Sequence, residues 1–403
     1  MPTIRIVESI TEIDKNDWDR MIDDNVVASH GWLRTVEETH IVDLRPRYVL
    51  LCEARKPIAA TVCYRSEPKD RVVDLDDLLF GRLKGFASSI GLSFLPALYC
   101  GPLHCYGKHF LIDPTLSGSM RYQAAAQLFD AIEQLATSES LSLFFVNLFD
   151  DEGEVLTLSS DRGYHKTSVF PACYLDVKWK SFEEYIDDVR GFSRNMSKNV
   201  KKEIRKSERA GIRIERIENI APHESRLHEL ANAHWTEYNA VPFPYRAAFF
   251  SKILVNLENQ AVFYGAFKGA ELVGFSLKLE RGGTAYGQEV GIDRSLPRTG
   301  AVYFSLCYYK LIMDAVAGET ARFFFGRGLP EAKVRRGCKT RDTYMCYRAD
   351  SKLKNAALQP LLAFYSFWSQ RKTAARLGTR ARGKEARRSS RSRPAVAEAS
   401  RGD

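Results

Sequence analysis

The sequence predicts an α+β protein made of two tandem lobes, each a mixed, mostly antiparallel sheet flanked by helices. Three observations lead there. At 403 residues the chain is long enough for two domains of ordinary size, each with its own core. One order of elements (helix, helix, several antiparallel strands, helix, strand) is readable twice along it. The composition, 45% apolar and 27% charged, is that of a globular protein.

In the first copy, helices at residues 17–21 and 31–40 precede the strands RYVLLCEA and IAATVCYR. A helix over 121–136, the strand LSLFFVNLF and a closing strand near 171–177 follow. In the second copy, a helix from Ser181, a long basic helix and a helix over 224–238 precede AVFYGAF, LVGFSLKLE and TAYGQEVGI. Then come a helix over 302–317, the strand RFFFG and a closing strand TYMCYRA. Lys268-Gly269 and Gly282-Gly283 lie between apolar runs and mark hairpin junctions. These readings divide the chain into lobes at 1–177 and 178–370, with a basic, disordered tail at 371–403. A helix opening near Pro360, where the missing N–H costs nothing, closes the folded part.

Charge is concentrated at the C-terminus. Residues 371–403 carry eleven Lys/Arg and three Asp/Glu, which leaves a net +1 on residues 1–370. The pI near 9.0 therefore describes the tail and not a groove in the fold. Eight cysteines without a CxxC pair, mostly inside apolar runs, predict free thiols, with neither a metal site nor a disulfide framework. MPTIRIVESITEID lacks an apolar signal-peptide core, so a cytoplasmic location is expected. The apolar stretch 86–103 is broken by Gly91, Pro96 and Gly101. It suits a greasy pocket or a membrane surface better than a bilayer-spanning helix.

Six segments could carry chemistry. VGIDRSLPRTGAVYF runs from a strand into a helix, the junction at which backbone N–H groups hold a pyrophosphate, so Arg298, Thr299, Gly300 and Ala301 are candidates to bind an acyl-CoA. The helix after it carries Tyr303, Tyr308 and Tyr309; such a face is usually core, but one hydroxyl suffices as a general acid for a leaving group. Glu289 is an acid inside an apolar strand, where desolvation would raise its pKa and suit it to take a proton from an amine. His234 and Tyr238 share a helix face at i, i+4 and could orient a substrate or shuttle a proton. FGRGLPEAKVRRGC sets Arg327, Lys333 and Arg336 around glycines after a strand, a pattern suited to a phosphate or carboxylate. Further upstream, Arg194, Lys198, Lys201, Lys202 and Arg205 recur at near-helical spacing, with Met196, Val200 and Ile204 on another face and Gly211 as the stop. A solvated face is the default for such a helix, but it also fits a polyanion.

HWTEYNAVPFPYRAAFF, AVYFSLCYYKLIMDA and FFFGRGLPEAKVRRGCKTRDTYM together resemble the FemAB-like group of the GNAT superfamily, and SHGWLRTVEE and KNVKKEIRKSERAGI are similar to it as well. The resemblance spans roughly residues 15–370. It departs from the group's pattern at Ser305, where many members have a glutamate, and over Gly326 to Lys333, where they tend to have a GAQGEHK-like run. The resemblance implies two GNAT-like lobes and transfer of an acyl group to an amine. On that basis we expect the following. The catalytic groups are Glu289, His234, Tyr238, Tyr308 and Tyr309; Arg327, Lys333, Arg336, Lys198 and Lys202 bind substrate. There is no metal and no permanently bound cofactor. An acyl-CoA is the co-substrate and a lipid or cell-envelope amine the acceptor, with contact to a membrane surface or anionic lipid. The less favoured alternatives are a Fem-type transferase that takes its acyl group from aminoacyl-tRNA, and a non-catalytic envelope-binding protein.

Overall fold

Runs of β-branched and aromatic residues build strands that join into one continuous sheet of thirteen strands among the described residues. The structure is a computed structural model and describes residues 2–67, 73, 75–91, 93–192, 195–239, 241–296 and 299–378. The first half runs β1 (Thr3–Val7), α1 (Lys15–Asp19), α2 (His30–Thr39), β2 (Arg47–Glu53), β3 (Lys56–Ser66), α3 (Leu75–Phe80), α4 (Lys84–Ser89), β4 (Ala97–Cys100), β5 (Leu111–Ile112), α5 (Gly118–Ser138), β6 (Ser142–Leu148), α6 (Gly153–Asp161) and β7 (His165–Asp176). The second half runs α7 (Phe182–Phe192), α8 (Met196–Arg209), β8 (Ile212–Arg216), α9 (Glu224–Asn239), α10 (Phe249–Leu257), β9 (Ala261–Lys268), β10 (Glu271–Arg281) and β11 (Thr284–Ile292). It continues with α11 (Thr299–Phe304), a π-helical segment (Ser305–Lys310), α12 (Leu311–Ala317), β12 (Arg322–Gly326), α13 (Pro330–Arg335), β13 (Lys339–Arg348) and α14 (Lys352–Gly378).

The strand order is β1-β2-β3-β4-β6-β13-β7-β12-β11-β10-β9-β8, with β5 on β3. Read from its two ends toward the middle, it is the same arrangement twice, so the two GNAT-like lobes are present. Each half holds one parallel pair, β4 with β6 and β11 with β12, among otherwise antiparallel neighbours. The closing strands differ from the sequence expectation, because they are exchanged. β7 leaves the first half to pair with β12, and β13 leaves the second half to pair with β6; the two exchanged strands also pair with each other. The division at residue 177 thus follows the chain and not the hydrogen bonds. The exchange covers two sheet edges that would otherwise be open.

The halves also share one core. Trp18 and Trp32 from the first half and Tyr245 and Phe249 from the second belong to a single buried cluster, with Trp32 edge-on to Phe249 at 6.0 Å. The α2 helix, capped by the Ser29 hydroxyl, lies directly on α10. Gly31 makes this contact possible, since a Cβ there would come within 2.2 Å of the Asn256 carbonyl oxygen. Two end features correct the sequence reading. α14 begins at Lys352, so Pro360 lies inside the helix, and residues 371–378 belong to that helix and not to the tail. The rest of the tail, 379–403, lies outside the described residues. All eight cysteines are buried free thiols.

Replacing Gly31 with Ala should destabilise the whole protein by about 1–3 kcal/mol, because backbone must move. One cooperative transition shifted to lower temperature in calorimetry is the expected result. Separate transitions for the halves would contradict the shared core.

Candidate active site

A pair of parallel strands that comes apart makes the site. Thr284↔Arg322, Ala285↔Phe323 and Tyr286↔Phe324 join β11 to β12, and the pairing stops there. On its other edge β11 bulges. Leu277 of β10 faces Glu289 and Lys278 faces Gly287, which leaves Gln288 as the extra residue. A cleft of about 690 Å³ opens beyond the last pair. Its second-half wall comes from α9, β11, α11 and the turn after β12. The first half contributes Tyr99, Leu103, His104, Tyr106, Val146 and Asn147, which sit where β4 and β6 part in the same way after Tyr99↔Phe144.

Glu289 is the buried acid of this wall. It is 5% exposed, and Trp235 Nε1 donates to its Oε2 at 3.0 Å. Burial pushes its carboxyl up to about 7, only partly countered by the indole hydrogen bond. Close packing of α9 on β11 brings the indole there: a Cβ on Gly291 would lie 2.6–2.7 Å from Leu230 atoms. His104 meets Trp235 edge-on at 5.8 Å and holds that indole from the first half. Burial pushes the His104 imidazole down to about 4, with the His40 and Arg327 charges adding to the effect.

The other sequence candidates divide into groups. His234, Tyr238, Gly300, Arg327 and Lys333 all line the cleft with Glu289. Burial, helped by Arg294, pushes His234 down to about 4, so it is neutral near pH 7, and its buried Nδ1 has no hydrogen-bond partner. Tyr238 is exposed and accepts from Arg294 Nη2 at 2.8 Å. Lys333 is 4% exposed, and its Nζ donates to the carbonyls of Phe325 and Gly326, the latter at 3.1 Å. Burial lowers its pKa. Arg327 sits 5.9 Å from the Tyr106 ring, with Nη1 buried and unpartnered.

Several candidates fall elsewhere. Of the helix tyrosines, Tyr303 lines the cleft, whereas Tyr308 is buried behind it, stacked on Phe325 at 4.9 Å. Tyr309 bonds to Glu203 and accepts from Arg336 Nε at 2.9 Å. Arg336 in turn pairs with Glu203 at 2.9 Å and covers the Phe304 ring at 3.5 Å. This cluster binds α8 to the helix after β11, so Arg336 and Tyr309 serve packing and not the cleft. Lys198 and Lys202 lie in a separate groove of about 310 Å³ on α8, lined by Lys and Arg alone. At the helix start, Gly300 lines the cleft and Ala301 is half-buried. Arg298 and the side chain of Thr299 lie outside the described residues, as does Arg194.

Trp235, His104, Asn147 and Arg294 were missed. Asn147 had a signal, a polar residue in an apolar strand, and its Oδ1 is buried without a partner. Trp235 stood beside His234 in the same motif. His104 had none, because only the meeting of the halves brings it here.

The buried carboxyl makes stability depend on pH. A folded-state value above the ordinary 4.5 means that Glu289 contributes fully below pH 4.5, and that this contribution fades as pH rises through about 7. Glu289→Gln should therefore gain on the wild type between pH 5 and pH 8, by on the order of 2–3 kcal/mol. A constant difference in melting temperature across that range would show an ordinary carboxyl.

Comparison with known proteins agrees with this architecture. A family model described as FemAB-like, peptidoglycan biosynthesis/recognition, matches residues 9–366. No curated protein matches the chain. Among solved structures, FemX is similar at 11% identity and a TM-score of 0.54, over 87% of this chain and 98% of that one. L-PGS from Bacillus licheniformis is similar at 11% identity and 0.53, over 91% and 99%. The C-terminal domain of a protein described as a lysylphosphatidylglycerol synthetase, from Agrobacterium fabrum, is similar at 10% identity and 0.51, over 87% and 97%. At such identities these likenesses show the fold alone, whereas the family model spans almost the whole of the described chain: the protein belongs to the FemAB-like family.

Proposed function

We propose that this protein is a transferase that joins an activated acyl or aminoacyl group to an amine of a cell-envelope component, in the cleft between its halves. The observation that carries the reading is Glu289, a buried carboxyl tuned to about 7 where β11 and β12 part. An amine nucleophile is protonated at neutral pH and must lose a proton before it attacks. A carboxylate with a pKa near the working pH does this best. Family membership and the cell-envelope names among the structural neighbours support the substrate class.

The sequence of bonds is simple. Glu289 takes a proton from the ammonium, the freed nitrogen forms a C–N bond to the acyl carbonyl carbon, and the carbonyl oxygen takes the negative charge. Two carbonyls hold the Lys333 Nζ at the cleft wall. Its remaining N–H is suited to that oxyanion. Collapse of the tetrahedral intermediate breaks the bond to the leaving group, which departs with the proton carried by Glu289 or by a nearby group such as Tyr303, and the second proton of the attacking nitrogen passes through the restored Glu289 carboxylate to water. His234, neutral near pH 7, orients the acceptor.

As donor we favour an acyl-CoA thioester entering past Gly300, the first part of a helix at the splayed edge. One observation favours a second donor, aminoacyl-tRNA. Lys198, Lys201, Lys202, Arg205, Lys206 and Arg209 line one groove with no acid among them, which suits a phosphate backbone.

Thermal shifts with acetyl-CoA, a long-chain acyl-CoA and a charged tRNA distinguish these donors, because a ligand that binds only the native state raises its melting temperature. We expect a shift with a thioester. A shift with charged tRNA alone, lost steeply on adding salt, would transfer the assignment to the second donor; no shift with any of them would point to an envelope-binding protein. With the productive donor, Glu289→Gln should lower kcat about 10²–10⁴-fold, and Lys333→Met about 10²–10³-fold. Full activity in either variant removes that residue from the mechanism.

A further inference from the structure

The longest helix is apolar on both faces. Inward, α14 buries Leu358, Leu362, Tyr365 and Ser369. Outward, at helical spacing, Leu353, Ala357, Pro360, Phe364, Phe367 and Trp368 are all exposed, and Arg371 is the first charge in that row. Leu353 is 83% exposed, Phe364 68% and Phe367 57%. A helix with apolar residues all round is ordinarily covered on every side, whereas among the described residues the outer row meets only Phe170, edge-on to Trp368 at 6.4 Å.

Charge decides what the cover is. From Lys352 to Lys384 the sequence has eight Lys/Arg and no Asp/Glu, and residues 371–403 carry a surplus of eight positive charges. A second copy would bring this charge against itself. The cover must be apolar within and negative at its surface. Lys372 lies 4.3 Å from the Trp368 ring and Arg371 5.2 Å from the Phe367 ring, which sets cations level with the aromatic rings. That is the arrangement of a helix lying in the headgroup layer of a bilayer, with aromatic rings toward the acyl chains and Lys/Arg toward phosphates. No helix among the described residues is long and apolar enough to cross a membrane, so α14 would lie in the plane.

We propose that the outer face of α14, with the Lys and Arg residues of that helix, is a docking surface for an anionic lipid bilayer. The helix runs beside α13, and Tyr365 on its inner face feels the Arg327 charge, so α14 sits next to the cleft wall. The surface stands independently of which donor the enzyme uses.

Co-sedimentation of the full chain with phosphatidylcholine vesicles, with and without a phosphatidylglycerol fraction, tests this. The wild type should pellet with the phosphatidylglycerol vesicles and be released by salt. Phe364→Glu, Phe367→Glu and Trp368→Glu together should weaken that partition at least about tenfold with an unchanged melting temperature. The milder pair Phe367→Ser and Trp368→Ser should weaken it in the same direction and keeps the test valid if the triple variant unfolds. Three results would overturn the proposal: wild type left in the supernatant, equal binding to neutral vesicles, or folded variants binding like wild type. A dimer in sedimentation velocity, abolished by the same substitutions without any vesicle binding, would assign the face to a second copy instead.

Discussion

Parallel strands β11 and β12 hold together over Thr284–Tyr286 and Arg322–Phe324, then separate, and the functional architecture follows from that parting. Strands that separate expose unpaired backbone and leave a gap, which is stable only if the surrounding structure fixes both sides. On one side the bulge at Gln288 bends β11, and α9 is clamped to it at Gly291. On the other, β12 is held by the exchanged strand β7, and the rings of Tyr286, Phe324 and Phe149 stack beneath the gap at 5.2 and 6.1 Å. The exchange of β7 and β13 thus does more than tie the halves together. It braces the strand whose departure creates the cleft.

Electrostatics inside the gap follow from the same geometry. The cleft holds an acid raised by burial and two histidines and a lysine lowered by it, so the charged forms of these four groups are disfavoured beside the guanidinium groups of Arg294 and Arg327. Arg336, by contrast, is buried with a carboxylate partner and keeps its charge, consistent with its packing role between α8 and the helix after β11.

Most of the fold was legible because its signals are local. Periodicity and hairpin glycines gave the strands of both halves and their repeated order, and Glu289 stood out as an acid in an apolar strand. The exchange of β7 and β13 was not legible, because either strand satisfies the same alternating pattern in either position. Tyr308, Tyr309 and Arg336 carried the right chemistry on the right segments, yet which way a helix faces depends on its neighbours, and α8 claimed Tyr309 and Arg336 through Glu203. His104 reaches the site only because β4 and β6 part opposite β11 and β12, a relation between residues far apart in sequence. The outer face of α14 was hidden for a related reason: an apolar run reads as core until the packing shows which side is left over.

The central claim, that the parting of β11 and β12 buries a carboxyl tuned for taking a proton near neutral pH, is tested most directly by carbon-13 NMR of the Glu289 side-chain carboxyl, assigned by comparison with Glu289→Gln. The account predicts a titration midpoint near 7, moving higher in Trp235→Phe as the indole hydrogen bond is lost. A midpoint at the ordinary value of 4.5, unmoved by loss of the indole, would contradict it.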